Sequence, residues 1–86
     1  MPSTLPPATL SFLITTLATQ AMVSLGVVEN PLTGKAEAHP DQARHFIDML
    51  SMLEEKTVGN RTPEESELLR SCLHQLRMAA VTKGEL

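Results

Sequence analysis

An uncharged stretch of twenty residues, 9–28, most constrains what this chain can fold into. Its large apolar residues recur at spacings of three and four, which places them on one side of an α-helix. This predicted core face consists of Leu10, Leu13, Ile14, Leu17, Ala21 and Leu25. The sequence therefore predicts a first helix over about residues 8–25, ended by Gly26 in the left-handed conformation.

The opposite side of this helix also lacks charge. It carries small polar residues, among which Phe12 and Val23 are set, and these polar residues are Ser11, Thr15, Thr16, Thr19, Gln20 and Ser24. A helix face that meets only water normally carries Lys, Glu or Arg. We therefore expect the rest of the chain or another subunit to cover this side. The predicted interface residues are Phe12, Thr16, Thr19, Gln20 and Val23.

A second helix is predicted over residues 40–58, because Pro40 suits a first helical turn and Asp41 favours the positive end of the helix dipole. Its apolar stripe consists of Ala43, Phe46, Ile47, Leu50 and Leu53. A third helix is predicted over residues 63–82. Thr62, Pro63 and Glu65 form the pattern of a capping box with proline at the first helical position.

The apolar stripe of the third helix consists of Leu69, Cys72, Leu73, Leu76 and Ala80. Because the link at residues 59–62 is short, the second and third helices should form an antiparallel hairpin. The first helix should pack on this hairpin. The chain is therefore predicted to be all-α, a single three-helix domain over residues 8–82, with a mobile leader at 1–7 and a frayed tail at 83–86.

The connection between the first two helices is long. At its centre, Asn30-Pro31-Leu32-Thr33-Gly34 has the residues of a tight turn, and residues 27–29 and 35–37 could pair as a short ribbon around it. A connection of this length is either a binding loop or a segment that spans two antiparallel helices. We favour the spanning segment.

Composition argues against several functional classes. The formal net charge is −3, and the seven Lys and Arg residues form no basic stripe, so no nucleic-acid partner is expected. A lone cysteine fits a reducing compartment, and no cation precedes the apolar stretch as in a signal peptide, so we expect a cytoplasmic protein. Residues 9–28 are long enough to cross a bilayer, but their hydroxyl groups and missing interfacial anchors argue against a membrane partner.

No residue set predicts catalysis, a metal or a cofactor. Asp41, His45 and Asp48 share one helix face, but we interpret them as exposed polar residues. Cys72 lies in an apolar stripe, which lowers thiol reactivity, and His74 points in another direction. The paired glutamates, Glu54-Glu55 and Glu64-Glu65, diverge on a helix and lack a shielded pocket. We therefore expect a protein that is not an enzyme.

Several short motifs occur together in a recognisable order. They are Leu17-Ala18-Thr19-Gln20-Ala21 with Leu25-Gly26, Asn30-Pro31 with Thr33-Gly34, Ile47-Asp48, Leu53-Glu54-Glu55-Lys56-Thr57, Gly59-Asn60, Thr62-Pro63-Glu64-Glu65 and Leu76-Arg77. Over about residues 8–80 the chain resembles a family of short bacterial helical proteins catalogued as a domain of unknown function. The resemblance implies a small cytosolic helical protein without an established activity or ligand, and it assigns no role to Glu54-Glu55-Lys56.

Two functional hypotheses follow. The first is a self-associating interaction or scaffold module, a homo-oligomer that uses its first helix and could also hold another protein. The second is a small regulatory or ligand-binding module whose methionines form an adaptable apolar groove. The methionines in question are Met22, Met49, Met52 and Met78.

Overall fold

A computed structural model of the protein describes residues 4–84 and contains three helices and no strand in that range. The helices are α1 (Leu10–Leu25), α2 (Pro40–Lys56) and α3 (Pro63–Thr82). The prediction of an all-α, three-helix fold is confirmed. The parts of the predicted leader and tail at residues 1–3 and 85–86 lie outside the described residues.

Helix α1 begins two residues later than predicted. Thr9 has extended backbone angles, and its hydroxyl oxygen accepts a hydrogen bond from the backbone N–H of Phe12 at 3.0 Å. This is the geometry of an N-cap residue, so the helix starts at Leu10. At the other end Gly26 has φ +78°, and its N–H bonds to the last turn, as predicted.

The α2–α3 junction is held by local hydrogen bonds. Helix α2 ends at Lys56, two residues earlier than predicted, because Thr57 is the C-cap residue. The Arg61 guanidinium donates to the carbonyl of Glu54 at 3.0 Å and so places a cation at the negative end of α2. The predicted capping box is confirmed: the backbone N–H of Glu65 donates to the Thr62 hydroxyl at 3.1 Å, and that of Thr62 donates to the Glu65 carboxylate at 2.8 Å.

The core is built from aliphatic residues of all three helices. Its buried members are Ile14, Leu17, Ala21, Leu25, Ala43, Ile47, Leu50, Leu69, Leu73, Leu76 and Ala80. Helix α1 packs against both α2 and α3, and more extensively against each than these two pack against each other. The first helix is therefore the element around which the small core is assembled.

Two predictions about the faces of α1 are wrong. Leu13, assigned to the core, is 43% exposed, because it lies at the edge of the buried arc that Ile14 and Leu17 define. Ser24, assigned to the outer side, is only 4% exposed. The α1–α2 connection folds back over this end of α1, where the backbone N–H of His39 donates to the Ser24 carbonyl at 2.6 Å.

The connection itself is irregular. The Asn30 carbonyl accepts from the N–H groups of Thr33 at 3.2 Å and Gly34 at 2.7 Å, while the Asn30 side chain accepts from Leu32 at 2.8 Å. The ribbon that residues 27–29 and 35–37 could have formed does not occur, since residues 4–84 contain no strand, although the Asn30 N–H donates across the turn to the Lys35 carbonyl at 2.9 Å. The returning limb instead bonds to the end of α1 through His39.

Gly26 lies where this connection returns close to the end of α1. A Cβ added to it would lie 3.2 Å from the backbone nitrogen of Ala38 and 3.3 Å from the carbonyl carbon of Glu37. Gly59 has a similar φ, +82°, but no described atom beyond its own neighbours lies within 4 Å of its added Cβ. Substitutions at the two glycines can therefore separate two effects on stability: the strain of a positive φ, which both share, and the steric clash, which only Gly26 would have.

We expect Gly59→Ala to lower the free energy of unfolding by about 1 kcal/mol, because alanine disfavours the left-handed region. Gly26→Ala should cost roughly 2 kcal/mol or more, because it adds a clash with backbone that cannot rotate away. Urea unfolding followed by far-UV circular dichroism measures both variants. Equal losses would show that the connection does not pack on Gly26.

Candidate functional site

The predicted interface on α1 is left open by the rest of the described chain. Phe12, Thr16, Thr19 and Gln20 are exposed, and Val23 is half-buried. Hereafter these five residues are called the outer face of α1. Within residues 4–84, α2 and α3 lie against the other side of the helix, so the rest of the described chain does not cover this face. Its role as an interface stays a prediction.

The outer face is less polar than its threonines suggest. The Thr16 hydroxyl donates to the Phe12 carbonyl one turn earlier, at 2.8 Å. This bond uses the hydroxyl proton within the helix, so the methyl group and the hydroxyl oxygen are what a partner would meet. No residue of α1 is ionisable. The face therefore offers methyl groups, an aromatic ring, hydroxyl groups and one amide, without an ionised group.

Leu13 widens this surface on the side of Gln20. Together with Phe12 and Thr16 it lines a shallow apolar depression, which also includes Ala8, Thr9 and Leu10. Sequence reasoning missed this contribution because the spacing of Leu13 also fits the core face. On a helical projection, Leu13 lies beside Gln20 and away from the centre of the buried side. This position could have indicated that Leu13 is exposed.

A groove runs between α1 and α3, next to the outer face. Its volume is about 290 Å³, and it is lined by Thr15, Ala18, Thr19, Met22, Val28, Leu68, Cys72, Gln75 and Leu76. Thr19 belongs to both surfaces, so the outer face and the groove are continuous. Of the four methionines expected to form an apolar groove, only Met22 lines this one. The groove depends on how two helices pack, which periodicity within one helix does not specify.

Cys72 is half-buried in the wall of the groove. Burial raises the pKa of its thiol, because an apolar environment disfavours the thiolate. The group is therefore a neutral, weakly reactive thiol near neutral pH. It adds to the apolar character of the groove.

The other candidate residues do not converge. Asp41, His45 and Asp48 are exposed along α2, and His74 is exposed on α3. Among residues 4–84, no group of three or more His, Cys, Asp and Glu side chains could hold a metal ion. In the same part of the chain, no helix is sufficiently long and apolar to cross a membrane.

Comparison with known proteins identifies a family for this chain. The model of a domain of unknown function (DUF1844) matches residues 7–82, which confirms the resemblance drawn from the short motifs. No curated protein and no solved structure matches the chain.

The environment of Cys72 predicts slow alkylation. In dilute solution, iodoacetamide should modify the folded chain at neutral pH at least about threefold more slowly than the chain unfolded in urea, because only the thiolate reacts. The pH at which the rate rises should also be higher for the folded chain, in keeping with its raised pKa. Mass spectrometry follows the reaction. Identical pH profiles would mean that the groove wall leaves the thiol in water.

Proposed function

We propose that this chain, which belongs to the DUF1844 family of domains of unknown function, is a non-catalytic cytoplasmic interaction protein that self-associates through the outer face of α1. The observation that carries the proposal is the exposure of this uncharged face. The role would be that of a small interaction or scaffold module, able to present its other surfaces to a further protein.

The chemistry of the outer face supports a protein partner. The buried centres of protein interfaces are depleted of charged residues and enriched in aromatic ones. Phe12 lies on this face and is 45% exposed, whereas the other aromatic residue, Phe46, is half-buried against the core. Thr16 and Thr19 are small enough to let a second helix approach closely.

The amount of exposed surface also supports association. The protein exposes 5999 Å², whereas the scaling for folded monomers gives roughly 5,000 Å² for this chain length. The excess is similar to the area of about 800 Å² that each partner buries in a standard interface. Part of it belongs to residues 4–9, all of which are exposed. The molecule is also flat, with extents of 36 × 33 × 17 Å, so it has broad faces that a second copy could cover.

A second copy of the chain is the partner that this surface fits most simply. In a two-fold symmetric dimer the same patch meets itself, so any charge at its centre would face or approach its own symmetry mate. Helix α1 has no charge to place there. Self-association of this face therefore removes no ionised group from water.

The alternative hypothesis, a Met-rich groove for an apolar ligand, has less support. The groove between α1 and α3 contains Met22, but Met49, Met52 and Met78 do not line it. A fluorescent apolar probe that binds the folded chain with the same affinity at every protein concentration would favour this alternative.

We expect the parent chain to sediment as a dimer at micromolar concentration. Thr16→Glu and Thr19→Lys should each weaken association by at least about tenfold, because each places an ion in a contact that excludes water. The two substitutions change the net charge in opposite directions. Weaker association of both variants would therefore exclude a simple effect of net charge.

The matched controls are His74→Glu and His74→Lys, which place the same charges on an exposed position of α3 that does not line the groove. These variants should associate like the parent. Circular dichroism checks that all four variants fold. A parent chain that is monomeric over the whole concentration range would overturn the proposal, as would α1 variants that assemble like the parent.

A further inference from the structure

We propose that in the dimer Phe12 of each copy occupies the groove between α1 and α3 of the other copy. This inference rests on the proposed self-association and names the contact that would determine its geometry. It assigns an occupant to the groove and gives the exposed ring of Phe12 a buried site.

The groove has the chemistry of an aromatic-binding site. Its walls include Met22, Leu68 and Leu76, and thioether and aliphatic groups pack well against an aromatic ring. None of its lining residues carries a charge near neutral pH. Its volume of about 290 Å³ accommodates a side chain, whereas a whole helix would not fit. A single anchoring residue is thus the kind of occupant that fits this groove.

Phe12 is a suitable anchor. The ring is exposed and lies on a helix, so its backbone is already fixed before association. Burying an aromatic side chain in a pocket at an interface commonly supplies a large share of the binding free energy. Phe46, the other phenylalanine, packs against the protein's own core and is not free to serve.

An antiparallel two-fold arrangement can place the ring and the groove at the same level. Consider two antiparallel copies of α1 whose symmetry axis passes between Thr16 and Thr19, near the middle of the outer face. Phe12 of one copy then lies at the level of Val23 of the other. Met22, the adjacent residue, lies in the groove wall, and Thr19 lies at most about 6 Å away along the helix axis, or roughly one turn. The symmetry repeats this contact, so two rings are buried at once.

The position of Cys72 allows the occupancy of the groove to be measured directly. It is the one cysteine in the chain, and it lines the groove but not the outer face of α1. A ring seated in the groove would cover the thiol. A dimer that lacks the Phe12 ring would leave the groove unfilled, so its thiol should react faster than in the parent dimer.

The test is the alkylation rate of Cys72 as a function of protein concentration, with sedimentation equilibrium on the same samples. We expect iodoacetamide to modify the dimer at least about tenfold more slowly than the monomer, because the reaction needs access to sulfur. Phe12→Ala, measured at concentrations at which that variant is dimeric, should lose this protection. If that variant does not dimerise at any concentration, Phe12→Leu replaces it and should give partial protection.

Gln75→Lys provides the second measurement, since Gln75 is exposed on α3 and lines the groove. It should weaken association by at least about tenfold, because the seated ring would desolvate the new ion. His74→Lys is its control on the same helix.

The outcomes separate the two proposals. A dimer that is broken by Thr16→Glu, but whose Cys72 reacts at the monomer rate and which tolerates Gln75→Lys, would overturn the seating of Phe12 and leave self-association standing. A chain that is monomeric at every concentration would overturn both.

Discussion

The burial of one side of α1 against both other helices is the contact on which the rest of the structure depends. Ile14, Ala21 and Leu25 are fully buried, and α2 and α3 pack less extensively on each other than on this helix. The core of a domain below roughly 80 residues rarely supplies more than about 3–5 kcal/mol, and this three-helix domain is close to that size. Loss of the α1 packing would therefore leave a helical hairpin without a core.

The same helix also leaves an uncharged side open to solvent. Because α2 and α3 both lie on one side of α1, the opposite side is exposed. This exposed side carries no charge, because no residue of α1 is ionisable. The connection to α2 adds to this asymmetry. It covers Ser24 and Gly26 at one end of α1, while Phe12 and Leu13 at the other end stay open. The exposed large apolar side chains of α1, Phe12 and Leu13, thus lie near the start of this helix.

The predictable parts of the fold are those that local chemistry determines. The capping box of Thr62 and Glu65 and the left-handed cap at Gly26 involve residues within one turn, so the sequence alone identifies them. Leu13 and Ser24 were assigned to the wrong sides, because the width and direction of the buried arc depend on where other segments lie. The groove beside Thr19 was not predictable for the same reason, since α3 supplies much of its lining. The lack of charge on α1 was visible in the sequence, whereas its exposure required the fold.

In the proposed dimer, folding and association would be thermodynamically linked. The outer face exists only when α1 is helical, and an isolated helix of this length is marginal in water. Packing on α2 and α3 therefore prepares the surface that a second copy recognises. A partner that binds only this folded surface would in turn stabilise the helix by mass action. The small core and the uncharged outer face would then be complementary. The core alone would give a marginally stable domain, and association through the outer face would add stability.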